Sequence, residues 1–460
     1  MFQTDLKKIA SIVSGNLQKI SCSHASKLII QKISTNSRNF RSCSLFIAIK
    51  GKNFDGHHFA KQSVKNGSLA ILSEKILSID HPQIIVENTI HAIERLASWI
   101  RKKSLAKFIA ITGSSGKTSV KEMTHTILSQ VGSTISTKKN NNNSLGVLLT
   151  LLRVNEFHQY VVIEIGASQL GEIKFSSKIV NPDVVLINNL FASHLKGFGS
   201  FSNLSRAKSE IFFGLSKFNT AVINLDNHDI KHWKHKIRNL SKVWFFSLKK
   251  KKKSHFYSNT ISEKNFFMKF DIHTPFGIAR VSSHLAGLHN ISNSIASAAL
   301  SISVGAKIDQ IEKGLKNFHP IDGRMYPVYI SSEKIILDDT YNSNFGSMKS
   351  AIDVLSKMPG YRVLVVGDML ELGQYSSFYH KKISRIIQNK NLNTIISFGK
   401  YSLFISQSFQ NGMHFHSKKK LTKKLIYLIS IHEKISILIK GSRKMRMEEV
   451  IEDIRRRKFS

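Results

Sequence analysis

The sequence predicts an α/β protein of three domains, with a central P-loop-type parallel sheet flanked by a small N-terminal α/β domain and a C-terminal Rossmann-like α/β domain. Three observations carry that expectation. Short apolar runs alternate with segments of helical periodicity along most of the chain. One such run, Phe108-Ile109-Ala110-Ile111, leads directly into the glycine turn TGSSGKTS and a helix start. The chain has 460 residues, and at about 150 residues per domain that length suggests roughly three cores.

Residues 1–102 hold strand-like pieces at Leu45–Ile49 and Ala70–Leu72 and a helix near Ala92–Ile100, and the basic stretch Arg101-Lys102-Lys103 reads as a linker. Residues 103–318 form the second unit. Its apolar runs at Tyr160–Ile165, Asp183–Ile187, Thr220–Leu225 and Val243–Phe246 are strands of the buried parallel type. The segment Asn265–Val281 alternates like an antiparallel ribbon, and a helix over Ile291–Val304 follows. After His319-Pro320 the alternation restarts, giving a third unit over 319–460. There the expected strands are Ile335–Leu337, Val363–Val366, Ile395–Phe398 and Ile435–Ile439, with helices at Met348–Leu355, Ile383–Ile387 and from Met447.

The glycine turn carries the first chemical signal. Val120, Met123, Ile127, Leu128 and Val131 share one helical face after it, and Gly132 is expected to close the helix. Backbone N–H groups and the helix dipole then converge on an anion beside Gly113, Ser114, Ser115, Gly116, Lys117, Thr118 and Ser119. Lys117 adds a full charge and Thr118 a hydroxyl suited to Mg²⁺. This is the short GxxGKT form, because Ile111 stands where the longer motif starts with glycine. A nucleoside triphosphate such as ATP is the expected occupant. The loop alone leaves the reaction open, since kinases, motors, switches and ligases share it.

Composition narrows the class. Cys22 and Cys43 are the only cysteines, too few for a disulfide framework or a four-cysteine zinc site. Lys7 and Lys8 interrupt the start before any signal-peptide core forms, and the longest apolar runs fall far short of a membrane span. A cytoplasmic location without membrane insertion is expected. The net charge of +38 comes from 68 Lys and Arg against 30 Asp and Glu, spread along the whole chain rather than gathered into a patch. Denser runs at Lys249–Lys253, at Lys418–Lys420 with Lys423 and Lys424, and at Arg455–Lys458 lack interleaved aromatics, so they read as solvated surface. No nucleic-acid partner is expected, although a basic nucleic-acid-binding ATPase remains the alternative of a different class. Such a field also attracts small anionic substrates.

Further polar residues sit at the ends of predicted strands. Glu164 is an acidic residue in the apolar run VVIEIGAS, where a buried charge needs a partner and Mg²⁺ shared with Thr118 would serve. His194 and Lys208 follow the next strand. On their own, an ordinary histidine and a surface lysine would be the plainer readings.

In order, TGSSGKTS, NNNNSLGV, IEIGASQLGEI, NNLFASHLKGFGS, RAKSEIF, GLHNISN, DGR, LDDTYNSNFGSM, VVGDMLELG and KGSR resemble the Mur ligases of bacterial cell-wall synthesis over essentially the whole chain. The set DDTYNSN with VVGDMLELG is most similar to members that add D-alanyl-D-alanine to a UDP-N-acetylmuramoyl-tripeptide. The resemblance implies ATP-dependent activation of a carboxylate to an acyl phosphate and attack by an amine; a working enzyme is expected, as a monomer. A related ligase with another amine acceptor, such as a folylpolyglutamate synthase, is the sibling alternative. It also implies catalytic roles for Lys117, Glu164, His194 and Lys208. Thr118 with Glu164 would take a first Mg²⁺, and His194 with Glu164 and a carbamylated Lys208 a second. Asn290 and Asn293 would lie beside adenine, and Arg324 and Asp339 would contact phosphate and ribose. In the first domain Ser37, Arg38, Asp55, Gly56 and His57 would meet the uridine nucleotide.

The sequence departs from that pattern at Asn36, usually aspartate, and at Ser42-Cys43, usually proline-glycine. The lost glycine costs stability if the backbone there needs positive φ. Ser168-Gln169 replaces an asparagine-histidine pair, Ser144 an aspartate, and Phe345 a proline or small residue.

Overall fold

The computed structural model describes residues 1–38, 43–51, 54–227, 233–264 and 267–456. Ser42, Asn265, and Arg457 and Lys458 of the last basic run lie outside the described residues.

The continuous apolar runs become strands buried on both faces. In the central sheet the order is Lys242–Phe246, Thr220–Asn224, Val184–Ile187, Lys107–Thr112, Tyr160–Glu164, Thr134–Ser136, and every pair is parallel. Strand Lys107–Thr112 has Val184–Ile187 on one side and Tyr160–Glu164 on the other, so its C-terminal end opens where the connections diverge. That is the usual ligand position in an open parallel sheet. The loop 113–116 leaves from that end, and Glu164 closes the neighbouring strand.

The expected ribbon is a three-stranded antiparallel sheet of Ile261–Lys264, Phe267–Thr274 and Gly277–Ser283. Its Met268, Phe270 and Ile272 share a core with Met123 and Ile127 of the loop helix and with Ile291 and Ile295 of helix Leu288–Ser303. The N-terminal unit has the sheet order Asn16–Gln18, Gln83–Ile85, Ser68–Ser73, Ser44–Ile47, Lys32–Ser34, and its core runs without a break into one face of the central sheet.

The C-terminal sheet runs Tyr326–Tyr329, Lys334–Asp339, Ile435–Lys440, Tyr361–Gly367, Thr394–Phe398, Gly412–Phe415 and is parallel except at its first strand. Separate apolar clusters cover its two faces, the doubly wound arrangement expected.

Two details differ from the sequence reading. The loop helix spans Lys117–Leu128 and its cap Ser129 is right-handed. Gly132 therefore lies beyond the helix, where its N–H donates to the Leu128 carbonyl at 2.9 Å. The lysine run from Lys418 begins a helix, Lys418–Ile431, whose Leu421, Leu425 and Leu428 are buried at helical spacing. Its lysines are the solvent side of an amphipathic element. Cys43 has φ +63, so the replaced glycine does stand at a left-handed position.

Candidate active site

The glycine turn is built by backbone freedom and then clamped from behind. Gly113 and Gly116 have φ +152 and +73. A Cβ on Gly116 would lie 2.6 Å from Asn293 Oδ1 and 2.7 Å from Asn188 Nδ2, so a side chain there would displace both amides as well as strain the left-handed backbone. Asn189 Oδ1 accepts from the Ser115 N–H at 2.8 Å, and its Nδ2 donates to the Ser115 carbonyl at 3.0 Å. Asn188 Nδ2 donates to the same carbonyl and to Asn293 Oδ1, both at 3.0 Å. Lys117 Nζ donates to the Gly113 carbonyl at 2.9 Å, and burial lowers its pKa.

Glu164 is 1% exposed, and among the described residues its carboxylate accepts from neutral donors: Thr118 Oγ1 donates to Oε2 at 2.8 Å and Asn142 Nδ2 to Oε1 at 2.7 Å. Arg324, from the C-terminal unit, donates from Nη2 to Thr118 Oγ1 at 2.8 Å, with its guanidinium 4.2 Å from the centre of the Tyr341 ring. Lys208 lies on helix Phe201–Ser209 with 1% exposure. Burial, reinforced by the charge of Lys117, lowers its ammonium to about 7. His194 has φ +52 and pairs through Nδ1 with Glu371 Oε2 at 2.6 Å. Asp339 receives Lys440 Nζ at 2.6 Å across adjacent parallel strands, and burial raises its pKa.

These residues face one cavity of about 770 Å³ between the central and C-terminal units. Ser114, Ser115, Gly116, Lys117, Thr118, Ser119, Glu164, His194, Lys208, Asn290, Asn293, Arg324 and Asp339 all line it. Gly113 does not line it but accepts Lys117 through its carbonyl. The structure does not bring the first-domain set there. Ser37 is buried and its carbonyl accepts from Asn66 Nδ2 at 2.6 Å, while Arg38 is exposed. Asp55 accepts from the His57 N–H at 2.9 Å and from its ring, contacts that pull the Asp55 carboxyl down to about 2. His57 Nε2 accepts from the Glu74 N–H at 3.0 Å, so both ring nitrogens hold the loop together. Gly56 packs with its Cβ position 2.6 Å from the Ile49 carbonyl oxygen.

Several site residues were not singled out by sequence reasoning. Asn142 holds Glu164, Asn188 and Asn189 brace the turn, and Lys440 and Glu371 pair with Asp339 and His194. All five lie inside the motif stretches NNNNSLGV, NNLFASHLKGFGS, KGSR and VVGDMLELG, but nothing in those strings says which partner each meets.

Among the described residues no three His, Cys, Asp or Glu side chains come close enough to hold a metal. Glu164 supplies one buried carboxylate with no salt bridge among the described residues, Thr118 a hydroxyl and His194 an imidazole. Lys208 completes the set only if its amine is converted to an anion. Its Nζ has no hydrogen bond or salt bridge among the described residues, the carboxylates of Glu172, Glu210 and Glu164 acting on it only from a distance, and burial favours the neutral amine, the form that adds CO₂. As a carbamate it would offer the oxygens that Mg²⁺ prefers, and on that condition the residues fit.

Comparison with known proteins agrees with this architecture. Residues 29–115 match the Mur ligase family catalytic domain, 111–301 the Mur ligase middle domain, and 323–443 the Mur ligase glutamate ligase domain. The chain is 44% identical over 454 residues to a UDP-N-acetylmuramoyl-tripeptide–D-alanyl-D-alanine ligase of Buchnera aphidicola subsp. Acyrthosiphon pisum, covering 99% of this chain and 98% of that one. It is 42% identical to the protein of the same name from Escherichia coli, with 98% of each chain covered. A crystal structure of MurF from Acinetobacter baumannii superposes with a TM-score of 0.91 at 31% identity over 99% of both chains. A MurF ligase from Thermotoga maritima in complex with ADP superposes at 0.80 and 26% identity, over 92% of this chain and 96% of that one. With its three domains in that order and the phosphate loop facing the C-terminal unit across one cavity, the chain belongs to the Mur ligase family.

Proposed function

We propose that this protein is an ATP-dependent ligase that joins D-alanyl-D-alanine to UDP-N-acetylmuramoyl-tripeptide, forming an amide through an acyl phosphate on the tripeptide carboxyl group. The observation that carries the reading is one cavity in which the phosphate loop, a buried carboxylate and a buried lysine meet Arg324 and Asp339 of another unit. The likeness to relatives of that name, full length at 44% and 42% identity, supports the choice of substrates.

Each residue's part follows from its placement. The N–H groups of loop 113–119 and the start of helix Lys117–Leu128 would hold the triphosphate, and Lys117 would exchange the Gly113 carbonyl for a phosphate oxygen. Asn290 and Asn293, at the start of helix Leu288–Ser303, would border the adenine, with Arg324 on phosphate and Asp339 on ribose. Thr118 and Glu164 would hold one Mg²⁺, and Glu164, His194 and carbamylated Lys208 a second. The ions would neutralise charge on the phosphates and on the activated carboxyl group. Work of this kind is mostly positioning and charge compensation. Ser37 and exposed Arg38 would take the uridine nucleotide on the first domain, where a guanidinium fork reaches two diphosphate oxygens, with the Asp55-Gly56-His57 loop beside them. We place the enzyme in the cytoplasm as a monomer. One chain supplies every residue named, and no described helix is long and apolar enough to cross a membrane.

Phosphate release is the test, with ATP, Mg²⁺, D-alanyl-D-alanine and UDP-N-acetylmuramoyl-tripeptides ending in diaminopimelate or lysine. The expected result is release that needs all four components. Release stimulated by RNA and indifferent to the dipeptide would instead identify a nucleic-acid-dependent ATPase.

A further inference from the structure

His194 is held by a contact between two domains. Its loop carries Ala192 and Leu195, 4% and 3% exposed, into the apolar cluster of the C-terminal unit with Leu337, Met369 and Leu372. Across that seam the Lys196 N–H donates to the Glu371 carbonyl at 2.9 Å. Gly373, at φ +60, packs with its Cβ position 3.4 Å from Lys196 Cα. Glu371 itself sits at φ +68, an unfavourable conformation for a residue with a side chain. Its loop is anchored to the C-terminal unit, because the Met369 N–H donates to His380 Nε2 at 3.0 Å and the Leu370 N–H to Ser442 Oγ at 2.8 Å. So anchored, Glu371 Oε2 reaches His194 Nδ1 at 2.6 Å.

A carboxylate on Nδ1 has a specific consequence. It holds the ring proton there and leaves Nε2 as the lone-pair nitrogen, the form in which a neutral imidazole binds a cation. His194 Nε2 has no hydrogen bond among the described residues, and His194 lines the cavity with Thr118, Glu164 and Lys208. We propose that Glu371 is a positioning residue supplied by the C-terminal domain, which fixes the tautomer and orientation of His194 for a divalent cation. Docking of the C-terminal domain and completion of the cation site are then one event, because the orienting carboxylate arrives with the domain. The inference rests on the ligase reading for its choice of cation, but its test needs no turnover.

The experiment titrates Mn²⁺ into the full-length protein with saturating β,γ-methylene-ATP and follows the loss of the free-ion electron paramagnetic resonance signal. E371Q is expected to weaken Mn²⁺ binding by about 10–100-fold, the usual cost of losing an outer-shell partner. Its melting temperature and its affinity for metal-free nucleotide should match the parent, and E371D should recover part of the loss. In an H194A background, E371Q should cause no further loss. Equal or tighter Mn²⁺ binding by E371Q, or the same fold-loss with and without His194, would overturn the proposal. A parent protein that shows the E371Q effect yet fails to ligate the dipeptide would refute the substrate assignment and leave this inference standing.

Discussion

Gly116 turns the chain at φ +73 with Asn293 and Asn188 pressed against the space a side chain would need. G116A is therefore expected to cost roughly 1–2 kcal/mol in backbone strain alone. It should also displace the asparagines that brace the turn, so that loss of ADP affinity in calorimetry exceeds the loss of stability in denaturant. Cys43 presents the reverse case, a side chain at φ +63. C43G should stabilise the protein by about 0.5–1 kcal/mol, because the relief of left-handed strain outweighs the greater freedom of glycine in the unfolded chain. His289, on the cavity wall, is pushed down to about 4 by burial, with the charge of Lys440 adding to the effect and Asp353 opposing it. Between its unfolded value of about 6.5 and 4, the unfolded chain holds a proton that the folded chain refuses. Stability should therefore fall as pH drops through that window. H289Q should flatten the decline of melting temperature between pH 6.5 and 4, and an unchanged slope would contradict the assignment.

Elements were legible where one physical signal dominated. The central strands declared themselves because a strand buried on both faces is continuously apolar, and their parallel pairing follows from the helices between them. Helix Lys418–Ile431 was hidden because its lysines outnumber the buried stripe of Leu421, Leu425 and Leu428. Gly132 misled for a similar reason: glycine is a common stop signal, but the chain had already turned at Ser129 without left-handed geometry. The motifs could be placed on elements, yet the pairings between them could not. Asp339 and Lys440 are about a hundred residues apart and meet only because their strands lie side by side. Lys440 is 1% exposed, so K440M should leave the Asp339 carboxylate without its partner and cost roughly 3–5 kcal/mol, measured by urea denaturation. The double variant K440M/D339L should recover much of that loss, since the cost lies in the stranded charge rather than in the missing pair.

At the scale of the molecule, the candidate site is a property of two domains. The central unit contributes the phosphate loop, Glu164, His194 and Lys208, and the C-terminal unit brings Arg324 onto Thr118 and Asp339 to the cavity wall. The net charge of +38 surrounds this cleft with a field that favours anionic nucleotides, and its even spread accounts for the absence of any single basic groove read from the sequence. The first domain's candidate residues stand apart from the cavity, so a substrate held there must extend from one unit toward the other. A UDP-linked peptide, with its nucleotide at one end and its reacting carboxyl group at the other, has that form. The most direct measurement labels both oxygens of the tripeptide's terminal carboxyl group with ¹⁸O and follows the isotope through one turnover with ATP and D-alanyl-D-alanine. Activation as an acyl phosphate transfers one labelled oxygen to the released phosphate and leaves the other in the amide carbonyl. Phosphate released without ¹⁸O while the amide forms would contradict the account.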